Sequence, residues 1–178
     1  MAVELVYETH STTEDNETGI ATGWLPGRLS QAGRAQAAEL GRRRRNDGLA
    51  AVFVSDLARA VETAAIAFSG LAIPIHQDKR LRECNYGDLN DCPVETLAAM
   101  RGRHIERPFP GGQSYRQVVE ATENFLKDVK DRWNGARVLV IAHSANRWAL
   151  RHLLDGARLE DLVEAPLEWQ PGWTFVVP

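Results

Sequence analysis

Two histidines, one arginine and one glutamate in this chain sit where apolar runs give way to polar loops: His10, Arg59, Glu83 and His143. These residue types together can move a phosphoryl group. A neutral imidazole is a nucleophile able to carry it covalently. A guanidinium offers planar, paired donors to phosphate oxygens. A second imidazole, protonated, stabilises charge on the transferring group. A carboxylic acid protonates the leaving alkoxide and then deprotonates the water that releases phosphate.

The elements that must position these groups follow from the apolar pattern. Val3 to Tyr7 reads as a strand ending in a polar loop, and Gly19 to Gly27 as loop with a Pro26-Gly27 turn. Ser30 is an N-cap for a helix over Gln31 to Arg45. Leu49 to Val54 reads as a second strand, followed by a helix over Leu57 to Phe68 capped by Ser55 or Asp56. Ile73 to Ile75 reads as a short strand, Val94 to Gly102 as helix and His104 to Gly112 as irregular. Ser114 caps a long helix to Trp133 with one apolar stripe. Val138 to Ala142 is wholly apolar, the pattern of a strand buried on both faces. A helix over Arg147 to Leu154 and a strand over Trp173 to Val177 complete the series. Strands alternating with helices imply an α/β three-layer sandwich around a mostly parallel sheet. Ligands in such sheets bind beyond the carboxyl ends of the strands, where the four residues fall.

Composition bounds the rest. The 178 residues carry a net charge of −3, with 44% hydrophobic and 25% charged residues. That balance argues against a nucleic-acid binder and against disorder, and the length suits one domain over residues 1–178. No apolar run reaches the roughly 20 residues of a membrane helix. The N-terminal segment lacks a basic leader region, and Cys84 and Cys92 make no disulfide framework. The expectation is a cytoplasmic protein without membrane or nucleic-acid partners. No Cys/His set has zinc-ligand spacing and no glycine-rich nucleotide loop is present, so no metal or cofactor is called for. The Arg42-Arg43-Arg44-Arg45 run reads as a solvated helix terminus. Trp169 and Trp173 are read as packing the sheet edge or supporting a homodimer contact.

An ordered series of motifs resembles the histidine phosphatase superfamily, in its phosphoglycerate-mutase-like branch. The family opens with Arg-His-Gly-x-Thr/Ser-x-x-Asn after its first strand; here the segment is Thr9-His10-Ser11-Thr12-Thr13-Glu14-Asp15-Asn16. Thr22 to Gly33, Ser55 to Ala64, Leu81-Arg82-Glu83 with Tyr86-Gly87, Pro110 to Ser114, and Val138 to Ser144 match further family segments in order. The resemblance implies that His10 forms the phosphohistidine, Arg59 clamps the phosphate, Glu83 is the acid/base and His143 is the second pocket histidine. It places Thr13, Asn16, Thr22, Gly23 and Ser144 along the pocket. It also implies one antiparallel edge strand, and a short specificity insertion over about 84–133 that leaves the site open to small or medium-sized phosphorylated metabolites.

Two departures stand out. Thr9 replaces the family arginine before the nucleophile, and Ser11 the glycine after it. Losing a charge-assisted contact of roughly 1.5–3 kcal/mol lowers the rate by about one to two orders of magnitude. Arg82 and Arg147 are candidate replacement cations. Glu8 shares a strand face with His10 by alternation; it is read as exposed, as a partner for an arginine such as Arg59, Arg82 or Arg147, or as a group with its own catalytic role. The leading expectation is a phosphomonoester hydrolase. The alternatives are acid/base chemistry (an isomerase, lyase or hydrolase) on a substrate without a phosphate dianion, and a non-catalytic binding relative.

Overall fold

A computed structural model describes residues 1–166 and 168–178. Its centre is a five-stranded sheet. The strands are β1 (Val3–Thr9), β3 (Ala51–Val54), β4 (Ile75–Gln77), β6 (Arg137–Ala142) and β7 (Trp173–Val177), in the order β4-β3-β6-β1-β7. The pairs β4–β3, β3–β6 and β6–β1 are parallel; β7 alone runs antiparallel, on the edge beside β1. The register sets Thr9 opposite Ala142 and Val54 opposite Ile141, so β1, β3 and β6 end level with one another. The expected mostly parallel α/β sandwich is therefore found.

Alternation divides the sheet between two cores. Leu5, Tyr7, Val138, Val140 and Phe175 face α5 (Tyr115–Trp133) and α6 (Ser144–Asp155). Val6, Val52, Val54, Leu139 and Ile141 face α2 (Gln31–Arg44) and α3 (Ala58–Ala67). On α5 the buried positions Val118, Val119, Thr122, Phe125, Leu126 and Val129 form the anticipated stripe. Ser114 accepts from the Gln117 backbone N–H and Ser30 from that of Gly33, as capping predicts, each worth about 1 kcal/mol.

Other boundaries differ. α3 starts from Leu57 without a side-chain cap, not from Ser55 or Asp56. α6 begins at Ser144, three residues before the expected start, because Asn146 Oδ1 accepts the His143 backbone N–H at 3.0 Å and closes its first turn. β4 lies two residues later than the expected 73–75, and the helix expected to Gly102 breaks after Ala98 (α4, Val94–Ala98) into a 3₁₀ turn over Arg101–His104. Two short helices were not anticipated: α1 (Glu14–Thr18) and α7 (Leu159–Glu164). A two-stranded ribbon pairs β2 (Ile20–Ala21), in the segment read as loop, with β5 (Cys92–Pro93). No described helix is long and apolar enough to cross a membrane.

Candidate active site

The structure gathers His10, Arg59, Glu83 and His143 beyond the carboxyl ends of β1, β3 and β6. The His10 and His143 rings have centroids 5.0 Å apart. His10 Nδ1 lies 2.8 Å from the Ser11 carbonyl oxygen. A carbonyl only accepts, so the ring proton sits on Nδ1 and the Nε2 lone pair is free. Burial first, then the positive charge of Arg59, push the His10 pKa down to about 3. The ring is neutral at physiological pH yet still partly reaches solvent.

His143 is more deeply buried, and its pKa is driven well below the usual value by that burial, by Arg59 and by His10. In the free protein it is neutral, not the imidazolium the sequence suggested. Its Nε2 lies 2.8 Å from Ser55 Oγ, which also accepts the Leu57 N–H. The other ring nitrogen, Nδ1, is a buried atom without a partner among the described residues. Tyr7 donates its hydroxyl to the His143 carbonyl and pins the strand end.

Arg59, 3% exposed, comes from the first turn of α3. It donates to the Gly23 carbonyl at 2.8 Å and the Leu25 carbonyl at 3.3 Å, which fixes the guanidinium plane. Gly23 is required there: its φ is +59°, and a Cβ would run into the Asn90 side chain. Glu83 is 8% exposed. Burial raises its pKa, against the Cys84 backbone N–H bound to Oε1 at 2.8 Å and the charge of Arg59. Its backbone carbonyl accepts the Trp24 indole N–H at 2.6 Å. The neighbouring Cys84 thiol is fully buried and its pKa is pushed up, so it is inert at neutral pH.

The other anticipated pocket residues divide. Thr13 caps α1 and exchanges hydrogen bonds with Asn16 in a capping box; both side chains shape the loop after His10. Thr22 donates to Asp15 at 2.7 Å. Ser144 opens α6 beside His143, and Arg147 lies one turn on, 8% exposed. Thr9 ends β1 on the face of Tyr7, toward α6.

Two assignments are corrected. Arg82 is not free to replace the missing arginine: it forms a two-point ion pair with Asp56 at 2.7 Å for each bond and lies 4.7 Å over the Trp24 ring. Glu8 is not exposed; it does partner arginine, but not Arg59, Arg82 or Arg147. It is 2% exposed and held by Arg43 at 3.1 Å and Arg44 at 2.9 Å. The arginine run at the end of α2 is thus no merely solvated terminus. Arg44 bridges to Asp47, Asp47 to Arg137 and Arg137 to Glu4, forming an alternating chain of charges along this side of β1.

Comparison with known proteins fits this geometry. Residues 9–170 match the family model of the histidine phosphatase superfamily, branch 1. The chain belongs to the histidine phosphatase superfamily. Among its relatives is a 2,3-bisphosphoglycerate-dependent phosphoglycerate mutase of Methylobacterium sp. (strain 4-46), 34% identical over 173 residues that cover 89% of this chain and 83% of the relative. Among solved structures, Bacillus stearothermophilus YhfR superposes with a TM-score of 0.82 at 28% identity, covering 96% of this chain and 88% of that one. A mycobacterial glucosyl-3-phosphoglycerate phosphatase shares the fold with a TM-score of 0.79 at 22% identity, covering 92% and 84%. Phosphatase-type chemistry is thereby plausible for this superfamily member.

Three groups around the site escaped the sequence reading. Ser55 reads in the sequence as one of two candidate helix caps, whereas it sits against His143. Tyr7 reads in the sequence only as the end of the first strand, whereas its hydroxyl reaches the His143 carbonyl. Asn90 takes the backbone N–H groups of Tyr86 and Trp24 on one oxygen and so ties the Gly23 turn to the segment after Glu83. Only Ser55 had a local signal, its place in the Ser55-Asp56-Leu57 motif.

Proposed function

We propose that this protein is a phosphomonoester hydrolase of small or medium-sized metabolites, working through a phosphohistidine on His10. The observation that carries the reading is the His10 ring: neutral, oriented by the Ser11 carbonyl, its Nε2 unspent beside Arg59. In the first step Nε2 attacks phosphorus and the ester P–O bond breaks. Glu83, whose raised pKa favours the protonated form, hands its proton to the leaving alkoxide. The charge on the transferring oxygens meets the Arg59 guanidinium, with the His143 ring beside that of His10. In the second step the Glu83 carboxylate takes a proton from water, the water oxygen attacks phosphorus, the N–P bond breaks and inorganic phosphate departs. The partial solvent exposure of His10 favours hydrolysis over retention of the phosphoryl group for a mutase cycle. Acid/base chemistry on a substrate without phosphate would draw on Glu8 as a second carboxylate beside His10; its carboxylate is committed to Arg43 and Arg44 instead.

Incubation with a radiolabelled phosphomonoester should give an acid-labile, base-stable label on the wild-type chain and none on His10→Ala, with phosphate release lost in parallel. No label and no phosphate release across a broad ester panel would refute the proposal.

A further inference from the structure

Glu83 stands between two peptide groups, and a side chain ties each of them. The carbonyl before it, that of Arg82, accepts from Asn146 Nδ2 at 3.0 Å. Its own carbonyl accepts from Trp24 Nε1 at 2.6 Å. A residue has only two soft backbone dihedrals, so pinning the peptide planes on both sides of its α-carbon fixes the direction in which the side chain leaves. The Cys84 N–H then holds Oε1 at 2.8 Å. The two anchors come from opposite sides of the site. Asn146 is fully buried in the first turn of α6, and both ends of its amide are engaged: Oδ1 accepts the His143 N–H while Nδ2 donates to Arg82. Trp24 lies between Gly23 and Leu25, whose carbonyls hold Arg59. The Trp24 ring also supports the Arg82 guanidinium at 4.7 Å, and Asp56 fixes that guanidinium by two bonds. Each anchor therefore reaches Glu83 from a segment that holds another member of the site, His143 in one case and Arg59 in the other.

We propose that Asn146 and Trp24 are positioning residues for Glu83, which together aim its carboxyl at the leaving-group oxygen, one from the histidine side of the site and one from the arginine side. The inference rests on the phosphomonoesterase reading and deepens it. Neither side chain needs to touch the ester; both act through the backbone of the acid.

Two substitutions test this. Trp24→Phe keeps a ring under Arg82 and removes the indole N–H. Asn146→Asp keeps an acceptor for the His143 N–H and sets an oxygen against the Arg82 carbonyl. Labelling of His10 by an alkyl phosphate and by p-nitrophenyl phosphate is followed in single turnovers, with circular dichroism to show that each variant is folded. Only the alkyl ester needs a proton at its leaving oxygen. The expected result is alkyl labelling slower by about 10- to 100-fold, as for a misplaced reacting group, with nitrophenyl labelling within about threefold of wild type. The ratio of the two esters cancels any effect on phosphate binding or on His10 itself. In a Glu83→Gln background neither substitution should slow alkyl labelling further, because both act through the same carboxyl. Equal losses on the two esters, no loss in a folded variant of either kind, or an undiminished further loss in the Glu83→Gln background overturns the proposal. Hydrogen exchange at the Cys84 amide separates it from the hydrolase reading. That N–H is held by the Glu83 carboxyl, so its protection should fall about tenfold in both variants while the amides of β1 keep theirs. If no ester labels the wild-type chain, the hydrolase reading fails, while loss of Cys84 protection still supports the positioning role and unchanged protection overturns it.

Discussion

Glu8→Gln should cost stability and spare catalysis. The wild-type carboxylate is 2% exposed and meets two guanidinium groups. Removing one partner of a fully buried ion pair costs about 3–5 kcal/mol because a charge is left uncompensated. Here the residual charges are better placed. The Arg43 side chain is 25% exposed, so water reaches it. Arg44 keeps Asp47 at 2.9 Å and the Pro171 carbonyl at 3.1 Å. The expected loss is therefore lower, about 2–3 kcal/mol, or a fall in Tm of roughly 5–10 °C for a chain of this length. Arg44→Met should cost more than Arg43→Met, since Arg44 also anchors Asp47 and the loop before β7. Thermal and urea unfolding followed by circular dichroism give the stabilities, and phosphate release at a temperature where both proteins are folded gives the activity. An unchanged Tm would show that the carboxylate is not load-carrying. A tenfold activity loss in a fully folded variant would place Glu8 among the reacting groups, against the geometry.

Glu83→Gln should slow labelling of His10 by alkyl esters about 10²- to 10⁴-fold, and labelling by p-nitrophenyl phosphate far less, because nitrophenolate leaves without a proton, while release of phosphate from the labelled enzyme, which uses the same carboxylate as base, slows for both; equal losses in the labelling step would remove Glu83 as the acid. Thr9→Arg should raise kcat/KM for a simple dianionic ester about tenfold or more by restoring a charge-assisted contact; no change or a loss in steady-state rates would mean that the pocket serves a different group. Stability should fall in mild acid. His10 and His143 have pKa values below that of a free histidine, so from about pH 6.5 down toward pH 3 the unfolded chain binds more protons than the folded one. Stability is full above that window and declines within it, by at most about 1.4 kcal/mol per pH unit for each ring. Urea titrations between pH 4.5 and 7 should show a shallower decline for His10→Gln than for wild type; parallel curves would refute the burial argument.

How far the sequence carried depended on how local the physics was. α2, α5 and β7 were legible because each combines a cap or a turn with an unbroken apolar pattern, and Trp173 to Val177 emerged at its observed limits. β4 slipped by two residues because an exposed edge strand has no burial pattern to fix its register. α1 and α7 are too short for periodicity, and α1 lies inside a segment dominated by polar residues. The four residues at the strand ends could be named in advance because α/β topology fixes where strands terminate. Their environments could not. Alternation correctly gave Glu8 its face of the sheet, but that α2 brings Arg43 and Arg44 over the same face is a fact of tertiary packing. The pairing of Arg82 with Asp56 spans 26 residues and leaves no mark on periodicity.

The β2–β5 ribbon joins the two halves of the site mechanically. It ties the chain just before Gly23 to the chain just before α4 through Ile20–Pro93 and Ala21–Cys92. Gly23 and Leu25, a few residues beyond, hold the Arg59 guanidinium by their carbonyls. The segment that the family resemblance implies for substrate choice and the guanidinium proposed to face phosphorus therefore share one strut. On that proposal, a substitution that shifts the ribbon also shifts the aim of Arg59, so a change of substrate would retune the chemical step as well.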